Sequence, residues 1–327
     1  MTGFNYIVTA RARNHDGSFS DRPGGSTYLR IPKERATYTF ADRVPFAQWT
    51  KEVIALSDPH KDDTGIERGD VLVFVHGYNN SMQDILTRHN RLCQDLPAFR
   101  FNGAVVSFDW PCNDVALAYL PDRLNAKITA LQLVTDCIRP LASMQAKGNC
   151  TLNVHLLAHS TGAFVIREAF DDADDREVIA TVNWTVSQIA LIAGDVSSAS
   201  LSADDSEARS LYRHCVRLTN YSNGNDTVLQ LSNVKRVGVS PRVGRVGLPV
   251  DAPQSAVNID CSEYYEAVVA GRPESEILGN RTHSWHIGDP LFIEDLAMTL
   301  RGGLDRTAIK TRTPLPGGGL KLGRALS

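Results

Sequence analysis

The sequence predicts an α/β protein built on a mostly parallel, doubly wound sheet with helices on both faces. Two observations carry this. Five short runs, 70–77 (DVLVFVHG), 103–111 (GAVVSFDWP), 150–160 (CTLNVHLLAHS), 187–195 (SQIALIAGD) and 215–226 (CVRLTNYSNGND), are rich in apolar residues. Near-continuous apolar runs belong to strands buried on both sides, as in a parallel sheet. Longer amphipathic stretches separate the runs, and such alternation implies right-handed strand–helix–strand units.

In chain order, the first 69 residues are the least regular, and FNYIVTARA and ATYTFADRV predict a pair of antiparallel edge strands. Helices are expected over 81–96, 114–145, 161–173, 202–215 and 290–302. Within the second of these, Pro121 and Pro140 should bend or end the helix, because proline has no N–H to donate. The last opens on Asp289-Pro290, a good N-cap followed by the residue best suited to a first helical position. Residues 235–253 are rich in Gly, Pro and Val, carry Lys235, Arg236, Arg242 and Arg245, and read as a long loop. Residues 314–327 are Gly-rich and basic and read as a flexible tail. No internal repeat or linker divides the rest. A single domain over 1–313 is therefore expected, with edge strands and loops in 1–69 and the core in 70–302.

Composition narrows the function classes. The chain of 327 residues is 43% apolar and 22% charged, with a net charge of −3, which gives no nucleic-acid footprint. The start MTGFNYIVTARARN lacks the basic-then-apolar pattern of a secretory signal, and no apolar stretch is long enough for a membrane span. The six cysteines form no C-x-x-C pair, which argues against a zinc site or a disulfide scaffold and for a reducing, cytoplasmic setting.

The candidate chemistry starts at Ser160 in Ala158-His159-Ser160-Thr161-Gly162, which is one methyl group away from Gly-x-Ser-x-Gly. Ser160 stands between an apolar strand and a helical pattern, the context of a nucleophile elbow. The alternative is that Ser160 or Thr161 merely caps a helix. His76-Gly77 follows an earlier strand, where such a pair supplies half of an oxyanion hole. The candidate donors are the amides of Tyr78 and Thr161, and a plain Gly-Asn turn is the alternative. Hydrolases with this elbow order their triad Ser, then acid, then His. Asp226 and Asp195 each end a later strand, and His283 and His286 stand before the last helix with no histidine after them. His76, Leu117 and Tyr119 are the candidate substrate-binding residues, with core packing the alternative for the last two. His283-x-x-His286 suggests no third ligand, so no metal is expected, and no cofactor either.

These residues together resemble the α/β-hydrolase superfamily and, within it, the family of unknown function called domain of unknown function 900. The family's pattern runs HGYN, FSWPS, AHSMG, APD, a Ser-x-Asp turn and GHSY. Here it stands as His76-Gly77-Tyr78-Asn79, Phe108-Asp109-Trp110-Pro111-Cys112, Ala158-His159-Ser160-Thr161-Gly162, Ala193-Gly194-Asp195, Asn223-Gly224-Asn225-Asp226 and Thr282-His283-Ser284-Trp285. The match spans roughly residues 70 to 302, and alanine before the His-Ser pair belongs to it. The resemblance implies an α/β-hydrolase fold, Ser160 as nucleophile, His283 as general base, Asp226 as the acid that orients it, and an oxyanion hole at Tyr78 and Thr161. His283 also stands seven residues before Pro290, as the base does in similar hydrolases.

The expected activity is a serine hydrolase of the carboxylesterase kind, acting on a small-molecule ester through an acyl-enzyme. The segment 196–214 is too short for a large lid, which suits short-to-medium acyl groups. A thioesterase, amidase or acyltransferase on the same triad is the alternative within enzymes, and a non-catalytic hydrolase-fold binding protein the alternative outside them.

Overall fold

The computed structural model describes residues 3–58, 60–61, 67–112, 119–142, 150–181, 184–234, 240–316 and 318–324. Eleven strands form one sheet among the described residues. They are β1 (Phe4–Arg13), β2 (Phe19–Pro32), β3 (His60–Lys61), β4 (Glu67–Val75), β5 (Ala104–Asp109), β6 (Cys150–His159), β7 (Val186–Ile192), β8 (Cys215–Ser222), β9 (Ala256–Asp260), β10 (Arg312–Pro314) and β11 (Leu320–Leu322). The spatial order is β10-β11-β9-β8-β7-β6-β4-β5-β1-β2, with β3 paired to β4. Pairing is parallel from β11 through to β1. Only β1–β2, β10–β11 and β3–β4 are antiparallel.

The helices are α1 (Phe46–Leu56), α2 (Met82–Asp95), α3 (Tyr119–Gln132), α4 (Arg139–Ala142), α5 (Gly162–Asp174), α6 (Glu177–Ala180), α7 (Ser206–Arg213), α8 (Thr227–Val234), α9 (Val243–Val246), α10 (Ser262–Tyr264) and α11 (Pro290–Arg301). Local chemistry sets the ends of several. Ser81 and Asp84 form a reciprocal capping box on α2. Asp289 accepts from Phe292 N to open α11, and Gly302 closes it at φ 65°. Between α3 and α4, residues Leu133–Ile138 widen into a π stretch. Pro140 follows with no N–H for the Asp136 carbonyl, and the Tyr28 hydroxyl donates to that carbonyl instead, at 2.9 Å.

Successive side chains of a strand point to opposite faces, and β4 divides the core in this way. Val71, Val73 and Val75 join the cluster that includes α5's Val165 and Phe170. Leu72 and Phe74 join the cluster that includes α11's Phe292 and Leu296. Both sets are fully buried, which is why β4 reads as an unbroken apolar run.

Two expectations about the ends of the chain are corrected. The expected antiparallel N-terminal edge is present, but the partner of β1 is Phe19–Pro32, and ATYTFADRV contributes a 3-10 turn at Phe40–Asp42 and a single antiparallel bridge from Arg43 to Leu29 of β2. The described residues of the expected 314–327 tail do not trail away: β10 and β11 form a hairpin whose Leu320 and Leu322 are buried and whose β11 extends the parallel sheet beside β9. The alternation Leu-Lys-Leu carries that burial, but three residues are too few to stand out against a Gly-rich background. A buried ion pair anchors the hairpin, Arg312 Nη2 lying 2.6 Å from Asp295 Oδ1. Part of the expected 235–253 loop is also ordered, with Arg242 lying buried against Asp195, Nε to Oδ1 3.0 Å; residues 235–239 lie outside the described residues. No helix among the described residues is long and apolar enough to cross a membrane.

Candidate active site

Ser160 sits where β6 gives way to α5, in the left-handed region at φ 54°. That conformation costs a residue with a Cβ roughly 1–2 kcal/mol, so surrounding contacts must enforce it. They do so from β7, the loop after it and the first turn of α5. Ser160 N donates to Ile192 O at 3.0 Å, and Ser160 O accepts from Ala163 N and Asp195 N, each at 3.0 Å. Glycine is needed at two points of close backbone approach, one just after the turn and one in the loop packed against it. A Cβ on Gly162 would lie 2.3 Å from Val75 O, and one on Gly77 would lie 2.8 Å from Ser160 Cβ. The His76-Gly77 turn therefore rests directly against the serine.

Asp226 follows β8 and is fully buried. Its Oδ1 accepts from Leu229 N at 2.9 Å at the start of α8. Its Oδ2 lies 2.7 Å from His283 Nδ1. An ionised carboxylate only accepts, so Nδ1 carries the proton and Nε2 is left with its lone pair. The loop that carries His283 is fastened to the Asp226 loop, since Asn223 Nδ2 donates to Thr282 O at 3.1 Å and the Thr227 and Thr282 hydroxyls meet at 2.8 Å. The alternatives fall elsewhere. Asp195 faces Arg242. His286 is stacked on Trp285 at 4.1 Å, and neither of its ring nitrogens has a hydrogen-bond partner among the described residues. Burial, together with the charge of His283, holds its pKa down at about 3.

His159 packs against this pair. Its ring centroid is 4.9 Å from that of His283, and its Nε2 lies 3.4 Å from His283 O and from Ser284 Oγ. Burial first, then the neighbouring charges of His283 and Arg88, keeps its pKa well below the usual histidine range. His155 packs edge-on to Phe101 and reaches Asp70 at 3.0 Å, a core histidine with a partner.

The oxyanion candidates divide between two loops. Thr161 N, at the head of α5, makes no hydrogen bond among the described residues, and Thr161 Oγ1 is likewise buried without a partner. Tyr78 lies in the turn after β4, and its carbonyl accepts from Asn80 Nδ2 at 2.8 Å. His76 is corrected from a substrate contact to a support. It is 0% exposed and stacks on Trp110 at 5.2 Å, so it presents no surface to a ligand. Its Nδ1 lies 2.8 Å from Gly77 O and its Nε2 3.2 Å from Asp109 Oδ1. Both partners accept, so both ring nitrogens carry protons. Burial alone would push the His76 pKa down; hydrogen bonding to Asp109 and Cys112 outweighs it and raises the value to about 9. Leu117 lies outside the described residues, as does the side chain of Tyr119 at the start of α3.

Sequence reasoning missed the buried network around Asp109. Its carboxylate accepts from Thr9 Oγ1 at 2.6 Å, Tyr38 Oη at 2.8 Å and Arg11 Nε at 2.9 Å, as well as from His76. Burial would raise its pKa, but the Arg11 charge and the His76 hydrogen bond hold it well below the carboxylate range. The signal was present in the sequence. Asp109 stands in an apolar strand where the family's FSWPS pattern has serine, and a charge in an interior strand demands an opposite one. Also missed were Asn80, which is buried against the His76-Gly77 turn, and Arg88, which is buried against Asn80. No group of three His, Cys, Asp or Glu side chains is arranged to hold a metal ion among the described residues. An apolar cleft of about 400 Å³ between Phe99, Tyr264, Leu291 and Arg324 includes none of the candidate site residues.

The family profile described as alpha/beta hydrolase of unknown function (DUF900) matches residues 60–260, more than half of the chain. The chain belongs to that family. The match takes in Ser160 and Asp226 and stops short of His283. No curated protein matches the chain significantly. Among solved structures, esterase B of Lactobacillus rhamnosis is 14% identical, with 91% of this chain and 84% of that one covered and a TM-score of 0.41. A putative hydrolase of Agrobacterium vitis S4 is 11% identical, with 93% and 100% covered and a TM-score of 0.39. A Listeria innocua gene product is 10% identical, with 72% and 94% covered and a TM-score of 0.39.

Proposed function

We propose that this DUF900 hydrolase is a serine hydrolase that cleaves carboxylic esters through an acyl-enzyme. The observation that carries the reading is the buried Asp226–His283 pair, 2.7 Å long, on a loop whose histidine packs against the residue preceding a left-handed serine. A serine hydroxyl is a weak nucleophile until a neighbouring imidazole takes its proton. In this reading His283 Nε2 accepts the Ser160 Oγ proton as Oγ bonds to the ester carbon. The carbonyl π electrons move to oxygen, and the amides of Tyr78 and Thr161 bind that oxyanion. Collapse expels the alkoxide, which takes the proton from His283. Water then repeats the sequence to release the acid. Asp226 holds the imidazole in the tautomer this requires and stabilises the imidazolium. The chemistry calls for no metal and no cofactor.

The site favours short-to-medium acyl chains. The segment between β7 and β8 holds only a 3-10 turn, Ala199–Leu201, and the two-turn helix α7, so no large apolar lid stands there. A fluorophosphonate probe and a nitrophenyl ester series from two to twelve carbons test both parts (roughly 10⁴-fold or more is the usual cost of losing the nucleophile). The expected result is one adduct per chain, abolished in Ser160→Ala, and a rate that peaks below about eight carbons. Undiminished labelling of Ser160→Ala would overturn the assignment.

A further inference from the structure

A buried pair of side chains, Asn80 and Arg88, joins the two loops on which the proposed chemistry depends. Arg88, on α2, is buried and hydrogen-bonds through Nη1 to Asn80 Oδ1 and through Nη2 to Leu278 O, the latter at 2.9 Å. Leu278 leads into the His283 loop, where Asn280 O accepts from His283 N at 3.2 Å and from Ser284 N at 2.7 Å. Arg88 also packs tightly beside Gly279, where a Cβ would lie 3.0 Å from Nη2. The guanidinium offers only donors, so the Asn80 amide can sit one way round: oxygen to Arg88, nitrogen to the turn. That nitrogen donates to Gly77 O and to Tyr78 O, each at 2.8 Å.

The consequence follows from peptide geometry. Gly77 C=O and Tyr78 N–H belong to one planar trans unit and point in opposite directions. Gly77 O is held from two sides, by Asn80 Nδ2 and by His76 Nδ1. Fixing that oxygen fixes the direction of the Tyr78 N–H. We propose that Asn80, oriented by Arg88, is a positioning residue that sets the Gly77–Tyr78 peptide for oxyanion binding and registers it against the His283 loop. This rests on the serine-hydrolase reading, in which Tyr78 supplies one oxyanion donor. Asn80 touches neither substrate nor the reacting atoms, and its effect passes entirely through the peptide it holds.

The test uses the full chain with nitrophenyl butyrate as substrate and a fluorophosphonate to count active sites at end point. Asn80→Asp is the first variant. Its carboxylate keeps Arg88 paired, so the fold retains its buried charge partner, but it presents an acceptor to two carbonyl oxygens and drives the turn away. Arg88→Met is the second: it keeps the buried stem and frees the Asn80 amide to rotate. The expected result for Asn80→Asp is end-point labelling of nearly every chain, kcat per labelled site down about 100-fold, the range for losing one oxyanion donor, and KM within about threefold. Arg88→Met should change in the same direction by about tenfold. The acid limb of the pH profile should not move, since the base is untouched. A kcat per labelled site within about threefold of wild type, a loss confined to KM, or a loss of labelled sites in both variants overturns the proposal. Wild type and Ser160→Ala, run beside them, separate this from failure of the parent reading, because that reading fails if the wild type neither labels nor turns over or if Ser160→Ala still does.

Discussion

Replacing Asp226 by asparagine tests the acid with the least structural disturbance, and the outcome can be worked from two distances. Asp226 Oδ1 accepts from Leu229 N at 2.9 Å, and Oδ2 accepts from His283 Nδ1 at 2.7 Å. The Leu229 N–H can only donate, so the new amide in Asp226→Asn must turn its oxygen toward Leu229 and its NH2 toward His283. His283 Nδ1 must then become the acceptor, and the proton moves to Nε2, the nitrogen that should take the serine proton. The wrong tautomer of this kind costs about 10⁴ in kcat in serine hydrolases, which is about 5 kcal/mol of barrier. The helix-capping bond of α8 survives and the volume is unchanged, so Tm should fall by only a few degrees, corresponding to roughly 1 kcal/mol. The assay is kcat on nitrophenyl butyrate beside thermal unfolding, with Asp195→Asn as comparison. Asp195 faces Arg242 rather than a histidine. Its variant should lose stability, about 3–5 kcal/mol for breaking a buried ion pair, and keep kcat per folded molecule within about tenfold. A normal Asp226→Asn beside an inactive, folded Asp195→Asn would refute the reasoning.

His283→Ala should lose several orders of magnitude in kcat, whereas His286→Ala should lose stability, about 2–4 kcal/mol from the cavity beside Trp285 and Phe292, with kcat per labelled site within about tenfold; the reverse ranking, read by ester hydrolysis, would exchange their roles. Asp109→Asn should destabilise by about 3–5 kcal/mol in urea unfolding, because it takes the carboxylate from the buried His76 and leaves Arg11 the half-exposed Asp21, and an unchanged midpoint would remove the network from the stability argument. The same network sets a pH dependence. His76 has a folded pKa raised to about 9 from the ordinary histidine value of 6.5, so its contribution is complete below about pH 6.5 and is lost as pH rises through 9. Asp109 is depressed, so its contribution is present above about pH 4 and is lost as pH falls below that. Tm should therefore fall between about pH 7 and 9.5 in the wild type and fall less in His76→Gln; equal slopes would exclude His76 as the source.

What the sequence disclosed follows physical signal strength. The five central strands and helices α2, α5, α7 and α11 were legible because burial on both faces writes a continuous apolar run and caps write a local one. Strand β2 was not, because Phe19–Pro32 contains Asp21, Arg22, Pro23, Gly24 and Gly25, and an edge strand exposed on one side tolerates such residues. Strand β11 was hidden by its brevity. Among site residues, Ser160 stood out because the elbow's constraint is local: two small residues flanking one turn. Arg88 did not, since its meaning depends on Asn80, eight residues earlier, and on Leu278, 190 residues later. A helical arginine with neighbouring polar residues reads as a solvated face until the fold buries it.

The histidines show the same division in sharper form. His76, His159, His283 and His286 all lie near the serine or its partner loop, and sequence distinguishes them only by order along the chain. Environment separates them. His76 meets two acceptors, is sealed from solvent and is held as an imidazolium, so it has no free nitrogen to offer. His286 meets none and is kept neutral by burial, so no carboxylate stands by to stabilise the cation that base catalysis creates. His159 is pushed the same way and lies against a like-charged neighbour whenever His283 is protonated. His283 alone of the four has one nitrogen committed to a carboxylate that is not already answered by a guanidinium. A base must be able to gain a proton and be stabilised on gaining it. Of these rings only His283 combines a free nitrogen with a carboxylate that no guanidinium shares among the described residues, and that argument supports it as the proposed base without reference to how far it stands from any proline.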